Sequence, residues 1–360
     1  MASPQVLIGR RFEDWGFIPF VLRELFEDPS PSNIAGALEE FCARFLRSRI
    51  ASAVFFEASV GSAHGVLLAD GRRVVIKLHR PDRSIAFLHA VHAVQRVLAE
   101  SGFPCPRPLV GPEPLGAGIA SAESLLDSGD YADAHQRAVR RAMATSLLRL
   151  VERCRPLATL PGLGENAMRI LPGELWAIPH DGRFDFAGTT PGAEWIDDLA
   201  RQARAILDAT PSGETVVGHT DWRAQNMCFA GEEISAIYDW DSLAIEREPV
   251  LVGSVAHGFT SNWAKPPAGR QFPTLEEAEA FINDYEHARG AVFSLAERRA
   301  ARAALVYSMA YTARCGHSDA LTDFGRHPPL MASQFSAPPD EAKIFLTDHA
   351  THLLASRSRF

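Results

Sequence analysis

Along residues 33–48, NIAGALEEFCARFLRS, the apolar positions Ile34, Leu38, Phe41, Cys42 and Phe45 recur at three- and four-residue intervals, which predicts a helix with one buried face. Three β-like runs follow: SAVFFEAS (52–59), HGVLLAD (64–70) and RRVVIKLH (72–79). The last two meet at Asp70-Gly71, a hairpin dipeptide, so a small antiparallel sheet is expected. Residues 84–100 return to helical spacing and stop at Gly102 and the prolines Pro104, Pro106 and Pro108. PLVG and AGIASAESLL give another strand pair, and the polar stretch DSGDYADAH marks a junction. Beyond about residue 127 the pattern changes to helices, at 133–154, 193–209, 276–289, 295–314 and 340–355, with short β segments between them. Thr274 with Glu277 and Ser294 with Glu297 fit capping boxes. The expected parts are thus an N-terminal helical extension at 1–50, a sheet-bearing part at 51–126 and a mainly helical part at 127–360, an α+β arrangement.

Charge and composition narrow the function. With 36 Lys+Arg against 44 Asp+Glu the net charge is −8, and the arginines are interleaved with acids, so a nucleic-acid partner is not expected. The chain is 46% hydrophobic, enough for a sizeable core, and 360 residues suggest two domains or one elaborated one. No apolar run approaches a membrane span and the start lacks a secretory pattern, so a cytoplasmic protein with no membrane partner is expected. Five scattered cysteines with no CxxC spacing read as reduced, structural thiols. Lysine occurs only at 77, 265 and 343, so a Lys closing the apolar run VVIK needs a reason.

Two clusters carry chemistry. In TVVGHTDWRAQNMCFAGEEISAIYDWDSL (215–243), Asn226 follows Asp221 by five residues and Asp239 follows Asn226 by thirteen. A hairpin with strands near 226–230 and 234–238 would return Asp239 to Asn226 and make an oxygen-rich pocket suited to a hard cation such as Mg²⁺. An Asp set apart from the metal can take or orient the proton of an attacking hydroxyl, as phosphoryl transfer requires. The second cluster is EASVGSAHGVLLADGRRVVIKLHRP, where Ser59, Gly61, Ser62 and Gly65 lie between two strands and Lys77 ends the next one. Such a loop lets backbone N–H groups approach phosphate oxygens, with Lys77 as a compact positive charge.

The Gly/Ser loop, Lys77, the GFPCPRP stretch, HTDWRAQN and IYDWD occur in an order that resembles the aminoglycoside phosphotransferase-like enzymes, over about residues 52–315. The resemblance implies a bilobal protein-kinase-like fold, with a nucleotide-binding N-lobe at 51–126 and a C-lobe at 127–360 holding the catalytic loop and acceptor site. It implies Asp221 as the catalytic Asp, Asn226 and Asp239 as metal ligands, and Lys77 with Ser59, Gly61 and Ser62 at the nucleotide phosphates. It implies Mg²⁺ as cofactor, ATP or GTP as donor, and a small-molecule hydroxyl as acceptor, whether antibiotic or metabolite. His219 would support the loop.

The sequence departs from the family pattern in two places. The family usually has Gly before the Asp and often a second His after it, where this sequence has Thr220, Trp222 and Arg223, so Trp222 and Arg223 are expected to alter the acceptor side, Arg223 by neutralising phosphate or by pairing with Asp241. Helix 84–100 carries only His89, His92 and Gln95 where a Glu would pair with Lys77, and Glu100 is too near its end. Asp241 would face the same way as Asp239 if a strand continued. Glu246, Glu248, Asp284 and Glu286 are expected on solvated faces, with an acidic acceptor cleft as the competing reading. Trp176, Phe184, Phe186, Phe259, Trp263 and Tyr285 are expected in the core. A nucleotide-binding pseudoenzyme with a regulatory role, and a metal-dependent phosphoester hydrolase using His219, Asp221, Asp239 and Asp241, are the alternative functions.

Overall fold

The computed structural model describes residues 2–322, apart from 166–169, 171–172, 177–178, 183, 210, 266 and 268–269. The expected helix at 340–355 lies outside the described residues. The chain divides into two compact units, Met1–Asp127 with Leu160–Glu165, and the remainder from Ser128.

The first unit opens with three helices, α1 (Pro4–Trp15), α2 (Phe20–Leu25) and α3 (Pro31–Phe41). Ser3 caps α1 and Ser30 caps α3, each accepting a backbone N–H, with Pro next in sequence where its missing donor costs nothing. Helix α3 runs on into a π turn, Cys42–Leu46, that ends at Arg47 in the left-handed region. The predicted face is buried: Ile34, Leu38, Phe41 and Cys42 are at most 3% exposed. These helices share one core with the sheet, where Ile8, Leu22, Leu25 and Ile34 meet Phe56, Val66, Val74, Ile76 and Leu78. At about 1.5–3 kcal/mol per fully buried large apolar side chain, this layer is integral to the unit and is no appendage.

The sheet comprises β1 (Ile50–Ala58), β2 (Ser62–Leu68), β3 (Arg73–His79), β4 (Pro108–Leu115) and β5 (Gly118–Ser124) in the order β1-β2-β3-β5-β4, antiparallel throughout. The β2/β3 turn forms as expected: Gly71 sits at φ 86° and donates to the Leu68 carbonyl. Between β3 and β4 lies α4 (Ile85–Glu100), started by the Ser84 side chain and stopped before Gly102 at φ 71°.

The second unit contains α5 (Arg137–Cys154), α6 (Glu194–Ala209), the strands β6 (Thr215–His219), β7 (Met227–Ala230), β8 (Glu233–Ile237) and β9 (Leu243–Arg247), then α7 (Glu248–Ala256), α8 (Leu275–Arg289) and α9 (Leu295–Leu321). Both capping boxes are present, at Thr274/Glu277 and Ser294/Glu297. Strands β6 and β9 pair antiparallel, as do β7 and β8. Helix α7 had no sequence expectation, and α9 extends past the expected end at 314 to Leu321. The continuation is held by Arg314, which is 0% exposed, faces Asp197 of α6 at 3.4 Å and donates to Thr189. Among the described residues no helix is long and apolar enough to cross a membrane.

Candidate active site

In the second unit, strand β6 ends at His219 and the chain turns through Thr220–Arg223 into a short 3₁₀ turn, Ala224–Asn226, before β7 begins. Three contacts fix this loop from outside: Thr220 N–H donates to the Ser242 carbonyl, Ala224 N–H to Phe259, and Gln225 N–H to Ser261. The Gln225 side chain in turn accepts from the Trp263 N–H at 2.9 Å. His219 is fully buried, donates from Nε2 to the Tyr238 carbonyl at 2.9 Å, and is met edge-on by Trp222 and Trp240. It braces the loop and the β8 end together, as expected.

Asn226 Nδ2 donates both to the Asp221 carbonyl oxygen at 2.9 Å and to Asp221 Oδ2 at 2.8 Å. The Arg223 guanidinium meets the same oxygen, Oδ2, at 3.0 Å. Asp221 is therefore held through one carboxylate oxygen, with Oδ1 on the other side of the group. The expected Arg223–Asp241 pair is replaced by this Arg223–Asp221 pair, because Asp241 sits in a 3₁₀ turn, Trp240–Ser242, that interrupts the strand on which the pairing was based. For the same reason Asp241 does not share a strand face with Asp239. Trp222 is 1% exposed and donates to the Met143 carbonyl, so it belongs to the core and not to an acceptor surface.

Asp239 follows β8 directly. Tyr238 N–H donates to the Asn226 carbonyl at 2.8 Å, so the β7/β8 hairpin returns Asp239 to the end where Asn226 stands. Asp239 adopts φ 60°, ψ 48°, a left-handed conformation that costs a residue with a Cβ about 1 kcal/mol or more. Ser242 Oγ donates to its Oδ2 at 3.5 Å. The donor set suits a hard divalent cation: the Asn226 nitrogen is committed to Asp221, which turns its carbonyl oxygen away as the available donor, and Asp239 adds carboxylate oxygens.

The first unit contains Lys77 and the Gly/Ser turn. Ser59 N–H donates to the Gly61 carbonyl, which closes the β1/β2 turn, and a Cβ at Gly61 would lie 2.9 Å from the Leu78 carbonyl oxygen of β3. Ser62 and Gly65 stand in β2 itself, not in the loop between strands. The Ser62 side chain is buried against His64 Nε2, and a Cβ at Gly65 would strike the Phe55 ring at 2.4 Å. Their small size is explained by packing. Lys77 is mostly buried, and its ammonium lies 3.5 Å from Glu123 Oε1 of β5, a residue that sequence reasoning did not single out. A lone carboxylate inside the apolar run GIASAES was the available signal.

Three of the four acidic residues expected on solvated faces are instead consumed internally, while Glu246 is partly buried and accepts the Arg247 N–H. Glu248 is 1% exposed, accepts from the Tyr285 hydroxyl and pairs with Arg289, Glu286 is buried with Arg298, and Asp284 takes Arg140 and Arg141. Of the aromatics, Phe184, Phe186, Phe259 and Tyr285 are core, while Trp176 and Trp263 are partly buried. Among the described residues no three His, Cys, Asp or Glu side chains cluster as a metal-holding group.

A sequence model described as the phosphotransferase enzyme family matches residues 62–246. Comparison with curated proteins finds no match. Among solved structures, the chain resembles a choline/ethanolamine kinase family protein from Mesorhizobium loti, at 13% identity and a TM-score of 0.56 over 90% of this chain and 99% of that one. An amicoumacin kinase solved with AMP-PNP and Ca²⁺ is similar at 12% identity and TM-score 0.55, over 85% and 88% of the two chains. An AMP-bound spectinomycin phosphotransferase matches at 14% identity and TM-score 0.51, over 90% and 99%.

Proposed function

The chain belongs to the phosphotransferase enzyme family and has its protein-kinase-like fold, and from that premise we propose that it moves the γ-phosphoryl group of ATP or GTP to a hydroxyl of a small molecule. The observation that carries this reading is that, among the described residues, Asn226 and Arg223 tether the Asp221 side chain through Oδ2, which leaves Oδ1 to receive a substrate hydroxyl. In the transfer the hydroxyl oxygen bonds to the γ-phosphorus while the bond to the bridging oxygen breaks, the nucleoside diphosphate leaves, and the hydroxyl proton passes to Asp221. A carboxylate pinned on one side loses little freedom on engaging the acceptor, which is the gain from orientation.

Asn226 and Asp239 are the residues that would hold a divalent cation, Mg²⁺ by its abundance and hardness, and such an ion supplies charge neutralisation at the donor phosphates. Lys77, held on its strand, is the positive charge that the family resemblance assigns to nucleotide phosphates. Nucleotide complexes of the amicoumacin kinase and the spectinomycin phosphotransferase support the donor side. The acceptor is a choice between an antibiotic and a metabolite such as an amino alcohol. The hydrolase alternative loses support because His219 is spent on the Tyr238 carbonyl in a fully buried position.

The test is thermal unfolding with Mg²⁺ plus ATP and with Mg²⁺ plus GTP, followed by an acceptor screen. Nucleotide at about a hundred times its Kd adds roughly 2.7 kcal/mol and raises Tm by several degrees. Asp221→Asn is expected to keep that shift and to lose transfer by at least about a thousandfold. Near-normal turnover in Asp221→Asn would overturn the assignment.

A further inference from the structure

Resting on the reading that Lys77 holds the donor phosphates, we propose that Glu123 of β5, clamped by Gln95 of α4, is the residue that positions the Lys77 ammonium. The need for such a residue is visible in α4. Its sequence, IAFLHAVHAVQRVLAE, has one carboxylate, Glu100, at the last position, so the helix offers no acidic side chain to the middle of the sheet.

The sheet supplies one. In the β3/β5 pairing Lys77 lies opposite Ser121 and Val75 opposite Glu123, which makes Lys77 and Glu123 diagonal neighbours on one face. Glu123 Oε1 stands 3.5 Å from Lys77 Nζ. Its other oxygen, Oε2, accepts from Gln95 Nε2 at 2.7 Å. Glu123 is 5% exposed and Gln95 1% exposed, so this is a dry bridge from helix to strand to lysine. A carboxylate this buried is costly unless both oxygens are engaged, and here one is held by an amide and the other by an ammonium. The amide fixes the carboxylate, and the carboxylate fixes the ammonium. Glu123 acts through Lys77 and is a positioning residue; Gln95 passes the position of α4 to it without adding a charge.

The experiment compares the full-length protein with Lys77→Met, Glu123→Gln and Gln95→Leu, using whichever of Mg²⁺-ATP and Mg²⁺-GTP the wild type binds. Two quantities are measured: the nucleotide Kd, and the rate at which an acyl-phosphate derivative of that nucleotide acylates Lys77. Mass spectrometry assigns the modified peptide among lysines 77, 265 and 343. Glu123→Gln is expected to weaken binding about tenfold and to slow Lys77 acylation by a similar factor, the size of one lost charge-assisted contact. Its Tm should stay within a few degrees of wild type, because a glutamine can still meet Gln95. Gln95→Leu, which keeps the charge and removes the clamp, is expected to lower both readouts about threefold, and serves if Glu123→Gln does not fold.

Unchanged Kd and unchanged acylation in the folded Glu123 or Gln95 variants, with binding lost in Lys77→Met, would overturn this proposal and leave the phosphotransferase reading standing. Unchanged nucleotide binding in Lys77→Met would overturn the placement of Lys77 at the phosphates, and this proposal with it.

Discussion

Arg223 is the residue whose surroundings differ most from what the linear sequence suggests. Two residues after Asp221, it reads as a guanidinium for transferred phosphate; in the fold it shares Asp221 Oδ2 with Asn226. If that contact orients Asp221, Arg223→Ala should lower kcat about tenfold and leave nucleotide Kd unchanged, whereas a rise in Kd would assign the side chain to the donor phosphates. Asp221, Asn226 and Asp239 were legible because their spacing encodes a hairpin, and the Tyr238-to-Asn226 hydrogen bond is the closure that spacing implied. Lys77 was legible because lysine is scarce in this chain. Glu123 was not, since its partners are 46 and 28 residues away, one brought by the β3/β5 register and the other by the packing of α4 on the sheet. Asp239 also carries a left-handed backbone that no spacing argument reveals.

At the scale of elements, capping and turn chemistry read most clearly. Thr274 and Ser294 start the helices they were expected to start, Ser84 caps the helix read from spacing alone, and Asp70-Gly71 makes its turn. Helix α7 escaped because Val250, Leu251 and Val252 are all buried, so its apolar run has no polar face to set a period. Its close packing against α9 depends on Gly253, where a Cβ would lie 1.9 Å from the Ala301 carbonyl oxygen. That obstacle is backbone and cannot rotate away. Gly253→Ala is therefore expected to cost about 1–3 kcal/mol or more and to lower the urea midpoint, with an unchanged slope marking a local loss of stability.

At the scale of the whole molecule, burial holds a histidine neutral in each compact unit. Burial pushes His64, in the first unit, down to about 3, and His257, in the second, down to about 4. Both folded values lie below the unfolded value near 6.5, so the unfolded chain binds more protons as pH falls, and the stability they secure is complete above 6.5 and lost toward 3–4. Between pH 6.5 and 4.5 the two together should cost about 5 kcal/mol, comparable with the whole stability of many domains. His135 opposes this modestly: burial alone would lower it, but hydrogen bonds to Glu277 and to the Arg270 carbonyl raise it, which favours the fold below 6.5. Unfolding temperatures from pH 7.5 to 4.5 should fall steeply, and His64→Gln and His257→Gln, which carry no titrating ring, should each flatten the slope.

The N-terminal helices have a further bearing on how the protein can be cut. The family match begins at Ser62, the first residue of β2, and ends at Glu246, before α7. Cutting there removes β1, the whole run of every register pair on one side of β2, and with it the helical layer whose Ile8, Leu22, Leu25, Ile34 and Leu38 roof the sheet. It also removes α9, against which α6 and α7 are packed. The matched stretch thus has no floor or roof of its own, and a piece able to stand alone is bounded by layers that such a match does not see.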